Sequence, residues 1–504
     1  MSNAASPLGR VAEVLRRAGL SVELRGPEDL SVSGASSDSR SVAPGQLFLA
    51  WHGTAQDCHD FVREAAEKGA VASVVERYVD ADLPQLRVDD GRRAAAIAAH
   101  FLAGRPSENL RIAAVTGTNG KTTTALLARQ VTGTREPSAA LGTLGITGPD
   151  GGVVPGSAGL TTPGPVEVSG ALATLVRDGV TTVFLEASSH ALEQRRLDGL
   201  TLRAAAFTNL TRDHLDYHAT FSAYRQAKAR LLDLVAEDGG VVVNGLDAAW
   251  SDLPPIRSRL VVTRIEGAGA PGTPPAAGER LPDLVAEEVS LTGEGSRFRV
   301  VWGEGTASVS LALLGRFNVE NALSALGLGL LLGIGLEDAA EALSQAAPAT
   351  GRLEVVRRDP VPVVVDYAHT PHALERVLET LRPLYSGRLI VVFGAGGDRD
   401  REKRPEMGRV AEAGADLAIV TSDNPRTEDP ESIVDDILAG MTGSAHERIP
   451  DRRAAIARAL EVARPGDAVL LAGKGHETYQ EVGTERRPFD ERVVVSRILD
   501  GAPD

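Results

Sequence analysis

Three things are scarce in this chain, and each scarcity excludes something. There is one cysteine, Cys58, in 504 residues, so no internal disulfide can form and a reducing compartment fits. No stretch approaches the roughly 20 apolar residues of a membrane span. The first residues, "MSNAASPLGRVAEVLRRAGL", lack the apolar core of a secretion signal. A cytoplasmic protein without membrane attachment is the expectation. Positive charge is also short: 53 Lys and Arg stand against 68 Asp and Glu, a net charge of −15. That opposes broad nucleic-acid binding, which needs a basic face. It leaves room for an anionic small molecule, since a local Arg/Lys cluster suffices. No repeat of fixed period and no low-complexity tail is visible, and Ser2-Asn3-Ala4 is given no function.

What is present is an ordinary globular composition, 43% hydrophobic and 24% charged, in a chain too long for one core. Residues 1–108 read as a small α/β unit. In "SRSVAPGQLFLAW" a Pro44-Gly45 turn leads into an apolar strand at 47–51, and "DFVREAAEKGAVASVVE" reads as helix, glycine stop and strand. From 109 the pattern is strand then helix, repeated: "LRIAAVTG", "KTTTALLARQV", "GVTTVFLEASS", "LRAAAFTNL". Alternation of this kind implies a parallel sheet covered by helices, with ligands beyond the carboxyl ends of its strands. Residues 266–283 are rich in Gly, Pro and Ala and read as a loop. A third unit, 351–504, offers four strands in "VPVVVDYAHT", "GRLIVVFGAGGDRD", "ADLAIVTSDNPR" and "GDAVLLAGKGHE", each ending in polar residues or glycine. The expected fold class is α/β in three domains: 1–108, 109–350 and 351–504.

The most informative stretch is "AAVTGTNGKTTTALL", residues 113–127. Backbone N–H groups of a Gly-rich loop and of the helix N-terminus behind it make an anion site. Lys121 adds a mobile positive charge, and the Thr122 hydroxyl can reach Mg²⁺. The longer G-x-x-x-x-G-K-[ST] pattern would need glycine at 115, where the chain has Val115, so the loop is the shorter G-x-x-G-K-T from Gly117. Two other glycine-rich pieces fail: "GAGGDR" has Arg399 where a dinucleotide fingerprint needs glycine, and "GKG" at 473–475 lacks the following Ser or Thr.

Glu186 closes an apolar run at a strand end, where a carboxylate either holds Mg²⁺ or serves as a cap. His214 and His218, four apart in "TNLTRDHLDYH", have no H-E-x-x-H glutamate and no nearby cysteine, so structural histidines are favoured over zinc. His214 alone is the better metal candidate. Lys228 falls on the apolar stripe Phe221, Tyr224, Lys228, Leu231, Val235. Either it reaches past the stripe to water, or it is buried with a lowered pKa. A neutral amine there could add CO₂ to give a metal-binding carbamate. In "SDNPR", Pro425 keeps Asn424 out of helix and stiffens the turn. Arg426 is then either a solvated surface residue or a rigid fork for a carboxylate.

Taken in order, "GTNGKTTT", "EASSH", "TNLTRDHLDYH", "AYRQAKARLL", "GRFNVENALSA", "DYAHTPHAL" and "SDNPRTEDP" resemble the Mur ligase family, ATP-dependent enzymes that form amide bonds in peptidoglycan precursor synthesis. "SSDSRSVAPGQLFLA" and "AGKGHE" are similar to its MurE type, which extends UDP-N-acetylmuramoyl-L-alanyl-D-glutamate. The resemblance implies that ATP phosphorylates a carboxylate and that an amine displaces the phosphate. It places ATP on Gly117, Thr118, Asn119, Gly120, Lys121, Thr122 and Thr123, with Asn318 and Asn321 toward adenine and Arg352 and Asp366 added from the C-terminal domain. It implies Mg²⁺ on Thr122, Glu186, His214 and a carbamylated Lys228, with Lys121, Lys228, His214 and Glu186 the catalytic set. Ser37, Ser39, Thr54, Ala55 and Gln56 match a uridine-nucleotide pocket. Thr161, Thr162, Ser188, Gln194 and Arg196 match contacts to the muramoyl-dipeptide. Arg399, Asp423, Asn424, Pro425, Arg426, Gly473 and Glu477 match contacts to diaminopimelate, which D-N-P-R accompanies in this type. Glu477 would accept from the distal ammonium. Cys58 stands where the family often has glycine. A monomer is expected. Three rivals are kept: a lysine-adding ligase, opposed by Arg426; a folylpolyglutamate synthetase, opposed by the N-terminal unit; and a nucleotide-hydrolysing switch without ligation.

Overall fold

In the computed structural model, residues 5–53, 56–268 and 274–500 are described. They pack as two compact units. One comprises the described residues of 1–287, 300–307 and 320–343, and the other 288–299, 308–319 and 344–500.

The first unit holds a two-stranded pairing of Ser6–Pro7 with Ser31–Val32 and two larger sheets. The smaller is ordered Val22–Arg25, Gln85–Val88, Ala72–Val75, Gln46–Leu49, Gly34–Ser36, with only the first strand antiparallel. Alternate residues of its strands feed opposite layers: Leu47, Leu49, Val74 and Leu86 on one side, Phe48 and Val75 on the other. The larger sheet begins Gly145–Thr147, Ser138–Gly142, Thr182–Glu186, Arg111–Thr116, Leu202–Phe207, Val235–Asn244, Arg259–Ile265. Among these strands all pairings but the first are parallel. Strands such as "IAAV" and "VFLE" are apolar without alternation because both faces are covered.

The order of these strands places the site. The chain leaves Arg111–Thr116, forms the helix Lys121–Gly133 and returns as Ser138–Gly142, two positions away. Later strands fill both flanks, so Thr116, Glu186 and Phe207 end side by side at a switch of chain direction, where parallel sheets bind ligands.

The second unit has a six-stranded sheet ordered Glu354–Arg357, Val363–Asp366, Ala468–Ala472, Leu389–Phe393, Leu417–Val420, His446–Arg448, parallel except for its first strand. Apolar layers cover both faces. The four anticipated strands are present, and the segments after Asp366, Phe393, Val420 and Ala472 gather at one edge. No described helix is long and apolar enough to cross a membrane.

Two helices fix the loops that carry Arg399 and Arg426. Lys403–Gly414 packs on Pro430–Leu438 with Gly408 against the carbonyl of Ile437. A Cβ at 408 would strike that backbone oxygen, which cannot rotate away. Gly408→Val should therefore lose about 1–3 kcal/mol, read as an earlier midpoint in urea unfolding; an unchanged midpoint would show that the helices are free to separate.

Candidate active site

The phosphate loop is held open by its neighbours. Gly117 (φ 152°) and Gly120 (φ 82°) take conformations that L side chains rarely adopt. A Cβ at Gly117 would collide with Thr208 Oγ1, and one at Gly120 with Asn321 Oδ1. From the next strand end, Asn209 O accepts from Thr118 N at 2.7 Å, and Asn209 Oδ1 accepts from Asn119 N at 3.0 Å. Thr208 Oγ1 donates to Asn119 O at 2.7 Å. Gly120 then caps the helix Lys121–Gly133, whose first N–H groups have no partner within the helix and can receive an anion. Thr208 and Asn209 were not recognised as loop clamps; the signal was the polar end of "AAAFTNL".

Two lysines converge on one carbonyl. Lys121 Nζ donates to Gly117 O at 3.0 Å and to Thr118 O at 2.9 Å. Lys228 Nζ donates to Gly117 O at 2.7 Å. Lys228 is 1% exposed, which decides between burial and escape to water. The expected stripe is shorter than proposed: the α-helix covers Phe221–Ala229, Phe221 is exposed, and Tyr224, Lys228 and Leu231 carry the buried face. Phe221 occupies the first turn, where the helix has not yet reached the core. Burial holds the Lys228 amine well below the ordinary lysine value, and Lys121 adds to the effect, while Asp213 opposes it.

Glu186 is buried beside the loop. Its Oε2 accepts from Thr122 Oγ1 at 2.9 Å and Thr143 Oγ1 at 3.1 Å, and its Oε1 accepts from Thr143 N at 2.8 Å. A hydroxyl and a carboxylate at this spacing fit Mg²⁺, which keeps several waters and takes few protein oxygens. His214 packs near the Tyr224 ring, with 6.3 Å between ring centroids. It takes φ 51° before a short helix, and its Nε2 is 3.4 Å from Asp213 Oδ2. His218 is buried with Nε2 3.0 Å from Ser189 Oγ, a structural role. Among the described residues no three His, Cys, Asp or Glu side chains form a metal cluster.

A cavity of about 660 Å³, the size of ligand pockets generally, brings together Ser37, Gln194 and Arg196 with Trp51 and Arg92. Arg196 donates from Nη2 to Gln194 Oε1 at 2.8 Å and from Nη1 to Thr162 O at 2.7 Å. Thr162 Oγ1 donates to Glu186 O at 2.6 Å and accepts from Ser188 N at 3.0 Å, which links the cavity wall to the Glu186 strand. Thr161 pairs with Thr143 through their hydroxyls at 3.1 Å. Ser39 is buried and donates to Glu64, so it does not line the cavity. Gln56 is exposed, and Thr54 and Ala55 lie outside the described residues. Asn321 packs on the phosphate loop and accepts from Thr124 Oγ1 at 3.4 Å.

In the second unit, Asn318 is buried and donates to Leu314 O at 2.8 Å. Asp366 is buried and accepts from Leu353 N at 2.8 Å. Burial pushes its carboxyl up, against the pull of Arg352. Arg352 stacks 4.8 Å from the Tyr367 ring centroid, its buried Nε without a partner.

The S-D-N-P-R turn forms a second polar centre. Asp423 is buried with Oδ2 unpartnered, against Gly473 (φ 116°), where a Cβ would collide with that oxygen. Asn424 Nδ2 donates to Glu477 Oε2 at 2.8 Å, and Lys474 Nζ donates to Asn424 Oδ1 at 3.0 Å and Glu477 Oε2 at 3.2 Å. The "GKG" lysine is thus a fully buried brace. Pro425 O abuts Gly397, which has no room for a side chain. Arg399 is exposed. Arg426 is a fork whose donors are partly engaged within the protein. It takes φ 52°, and its guanidinium is already held by Glu481 Oε2 at 2.9 Å and Gly397 O at 2.7 Å. Those partners come from segments 55 and 29 residues away, beyond the reach of a local reading.

The Mur ligase middle-domain family model matches residues 115–329, and the Mur ligase glutamate-ligase-domain model matches 351–475. The UDP-N-acetylmuramoyl-L-alanyl-D-glutamate–2,6-diaminopimelate ligase of Gloeobacter violaceus is 42% identical over 96% of this chain and 97% of its own. That of Brucella melitensis biotype 1 is 42% identical over 94% of each. A solved structure of a ligase of the same name aligns with TM-score 0.70 at 35% identity, covering 99% of both chains. MurF from Acinetobacter baumannii aligns with TM-score 0.63, covering 100% of this chain and 99% of its own, but at 19% identity the likeness concerns fold alone.

The buried amine gives a signed prediction. Unfolded Lys228 stays protonated up to about 10.5, whereas the folded residue loses its proton well below that. Between those limits the unfolded state binds more protons, so the wild type gains stability as pH rises. Lys228→Met lacks this dependence. In CO₂-free buffer it should be more stable than wild type near neutrality, by on the order of 1 kcal/mol, with the advantage shrinking toward pH 10. A constant difference across that range would mean the folded lysine is charged throughout.

Proposed function

The chain belongs to the Mur ligase family, and on that premise we propose that it joins 2,6-diaminopimelate to the D-glutamate γ-carboxyl of UDP-N-acetylmuramoyl-L-alanyl-D-glutamate, at the expense of ATP. The observation that carries this reading is the presence of both a Gly117–Gly120 loop opening a helix and the Arg426 turn in a chain alike over at least 94% of its length to ligases of that name. In this reading residues 1–108 take the uridine nucleotide, 109–350 take ATP and join the substrates, and 351–504 take the amino acid. The compartment is the cytoplasm, where both nucleotides are available, and a monomer suffices.

The chemistry follows from what each group can do. A carboxylate is a poor acyl electrophile, so one γ-carboxyl oxygen attacks the γ-phosphorus of ATP, and the bond to the bridging oxygen breaks to release ADP. The amine of diaminopimelate adds to the acyl phosphate carbon. The tetrahedral intermediate collapses with loss of phosphate, and the ammonium proton passes to solvent. The loop amides and the helix N-terminus at Lys121 hold the transferring phosphoryl group, and Lys121 offsets its charge. Thr122 and Glu186, with His214 and a carbamate on Lys228 as further ligands, would hold Mg²⁺, which supplies charge neutralisation at the phosphates. The carbamate forms when the neutral Lys228 amine adds CO₂ and releases one proton.

The second centre suits a zwitterion. Asp423 Oδ2 lacks a partner and Glu477 keeps Oε1 free of described partners, so both can receive an ammonium group. Arg426 retains its Nη2 edge for a carboxylate. L-lysine lacks that distal carboxylate and leaves the guanidinium short of an acceptor.

Phosphate release from Mg-ATP should require both the UDP-muramoyl-dipeptide and diaminopimelate, with one stereoisomer preferred and L-lysine at least about 100-fold poorer in kcat/KM. Equal use of lysine would contradict the role given to Arg426. Release without any acceptor would indicate a hydrolase.

A further inference from the structure

The hairpin Tyr479–Val482 with Glu485–Pro488 has no apolar reason to exist. Each strand has four residues, the second is exposed throughout, and the turn is Gly483 (φ 60°) with Thr484. Two-stranded ribbons of this length are marginal alone in water. What holds this one is the S-D-N-P-R turn. Gln480 Nε2 donates to Asp423 O at 2.8 Å and to Ser422 Oγ at 3.3 Å. Glu481 N donates to Asn424 Oδ1 at 2.9 Å. Arg426 N donates to Glu481 O at 3.1 Å, and Gly483 N donates to Arg426 O at 2.7 Å, a bridge between Arg426 and Val482. Residues on both sides of the peptide plane of Arg426 are thus fixed by the hairpin. This explains how a non-glycine residue is kept at φ 52°, a conformation that persists only where its surroundings impose it.

Glu481 also fixes the side chain. Its Oε2 accepts from Arg426 Nε at 2.9 Å and its Oε1 from Arg486 Nε at 2.9 Å. The Arg426 and Glu481 side chains are 25% and 19% exposed, so the pair is shielded enough to hold its geometry. With Nε occupied by Glu481, a ligand carboxylate can meet only the terminal Nη edge. Arg486 offsets the Glu481 charge, and the Arg–Glu–Arg group stays net positive toward an anion.

We propose that Glu481, presented by the 479–488 hairpin, is a positioning residue for amino-acid selection: it sets the angle at which Arg426 meets the distal carboxylate. This rests on the ligase reading above. It predicts that loss of Glu481 weakens binding of the diamino acid without disturbing the nucleotide or the dipeptide.

The test is steady-state kinetics on the full chain, for wild type, Glu481→Ala and Glu481→Gln, with diaminopimelate and L-lysine as amines. Glu481→Ala should raise KM for diaminopimelate at least about 10-fold and cut its preference over lysine by a similar factor. KM for ATP and for the dipeptide should stay within about 2-fold, and kcat at saturating diamino acid within about 3-fold. Glu481→Gln keeps an acceptor for Arg426 Nε and should recover part of the loss; it also serves if the alanine variant does not fold. An unchanged KM for diaminopimelate, or an equal rise in all three KM values, would overturn the positioning role. A wild type that uses lysine as well as diaminopimelate would instead sink the ligase specificity itself, and the two failures are distinguishable.

Discussion

Everything at the nucleotide end depends on the carbonyl of Gly117. Lys121 and Lys228 both donate to it, one from the loop's own helix and one from a helix more than a hundred residues later. The loop is short, G-x-x-G rather than G-x-x-x-x-G, and cannot wrap a phosphate through its own length. Fixation comes from outside: Thr208 and Asn209 grip Thr118 and Asn119, and Asn321 closes under Gly120. Burying the Lys228 amine is unfavourable for folding, so its place there is not set by stability.

The site is otherwise a consequence of strand order. Glu186 and Thr116 end adjacent strands, and Thr122 stands in the first turn of the helix Lys121–Gly133, so a hydroxyl and a carboxylate meet. In the second unit the same logic gathers Asp366, Gly473 and the 421–426 turn at strand ends. Opposite charges meet there: Asp423 and Glu477 bring carboxylates and Arg426 a guanidinium, with Asp423 Oδ2 left without a partner. Arg452, ion-paired with Glu491 deep in the unit, braces this edge by donating to Ser422 O at 3.4 Å and Ala472 O at 2.9 Å.

Local features were legible in the sequence because their causes are local. Strand–helix alternation gave the α/β class, and the spacing of Gly117, Gly120 and Lys121 gave the glycine-rich turn between strand and helix. Lys228 was visible as a lysine on an apolar stripe, though the stripe started at Tyr224 rather than Phe221. Illegible were contacts made across long sequence separations. Nothing near Arg426 says that Glu481 will take its Nε, and nothing in "GKG" says that Lys474 will be buried as a brace between Asn424 and Glu477. The positive φ of Arg426 is likewise imposed by a hairpin whose own sequence, "YQEVGTERRP", reads as an ordinary exposed ribbon.

The central claim is that the phosphoryl group gripped by the Gly117 loop passes to a carboxylate before the amide forms. It is tested most directly by labelling the D-glutamate γ-carboxyl of the UDP-muramoyl-dipeptide with oxygen-18 and analysing the phosphate released during turnover with diaminopimelate. Transfer through an acyl phosphate leaves one carboxyl oxygen on each phosphate formed, so labelled phosphate should appear in step with the amide product. Phosphate whose new oxygen comes only from water would contradict the account and make the loop the site of a hydrolysis.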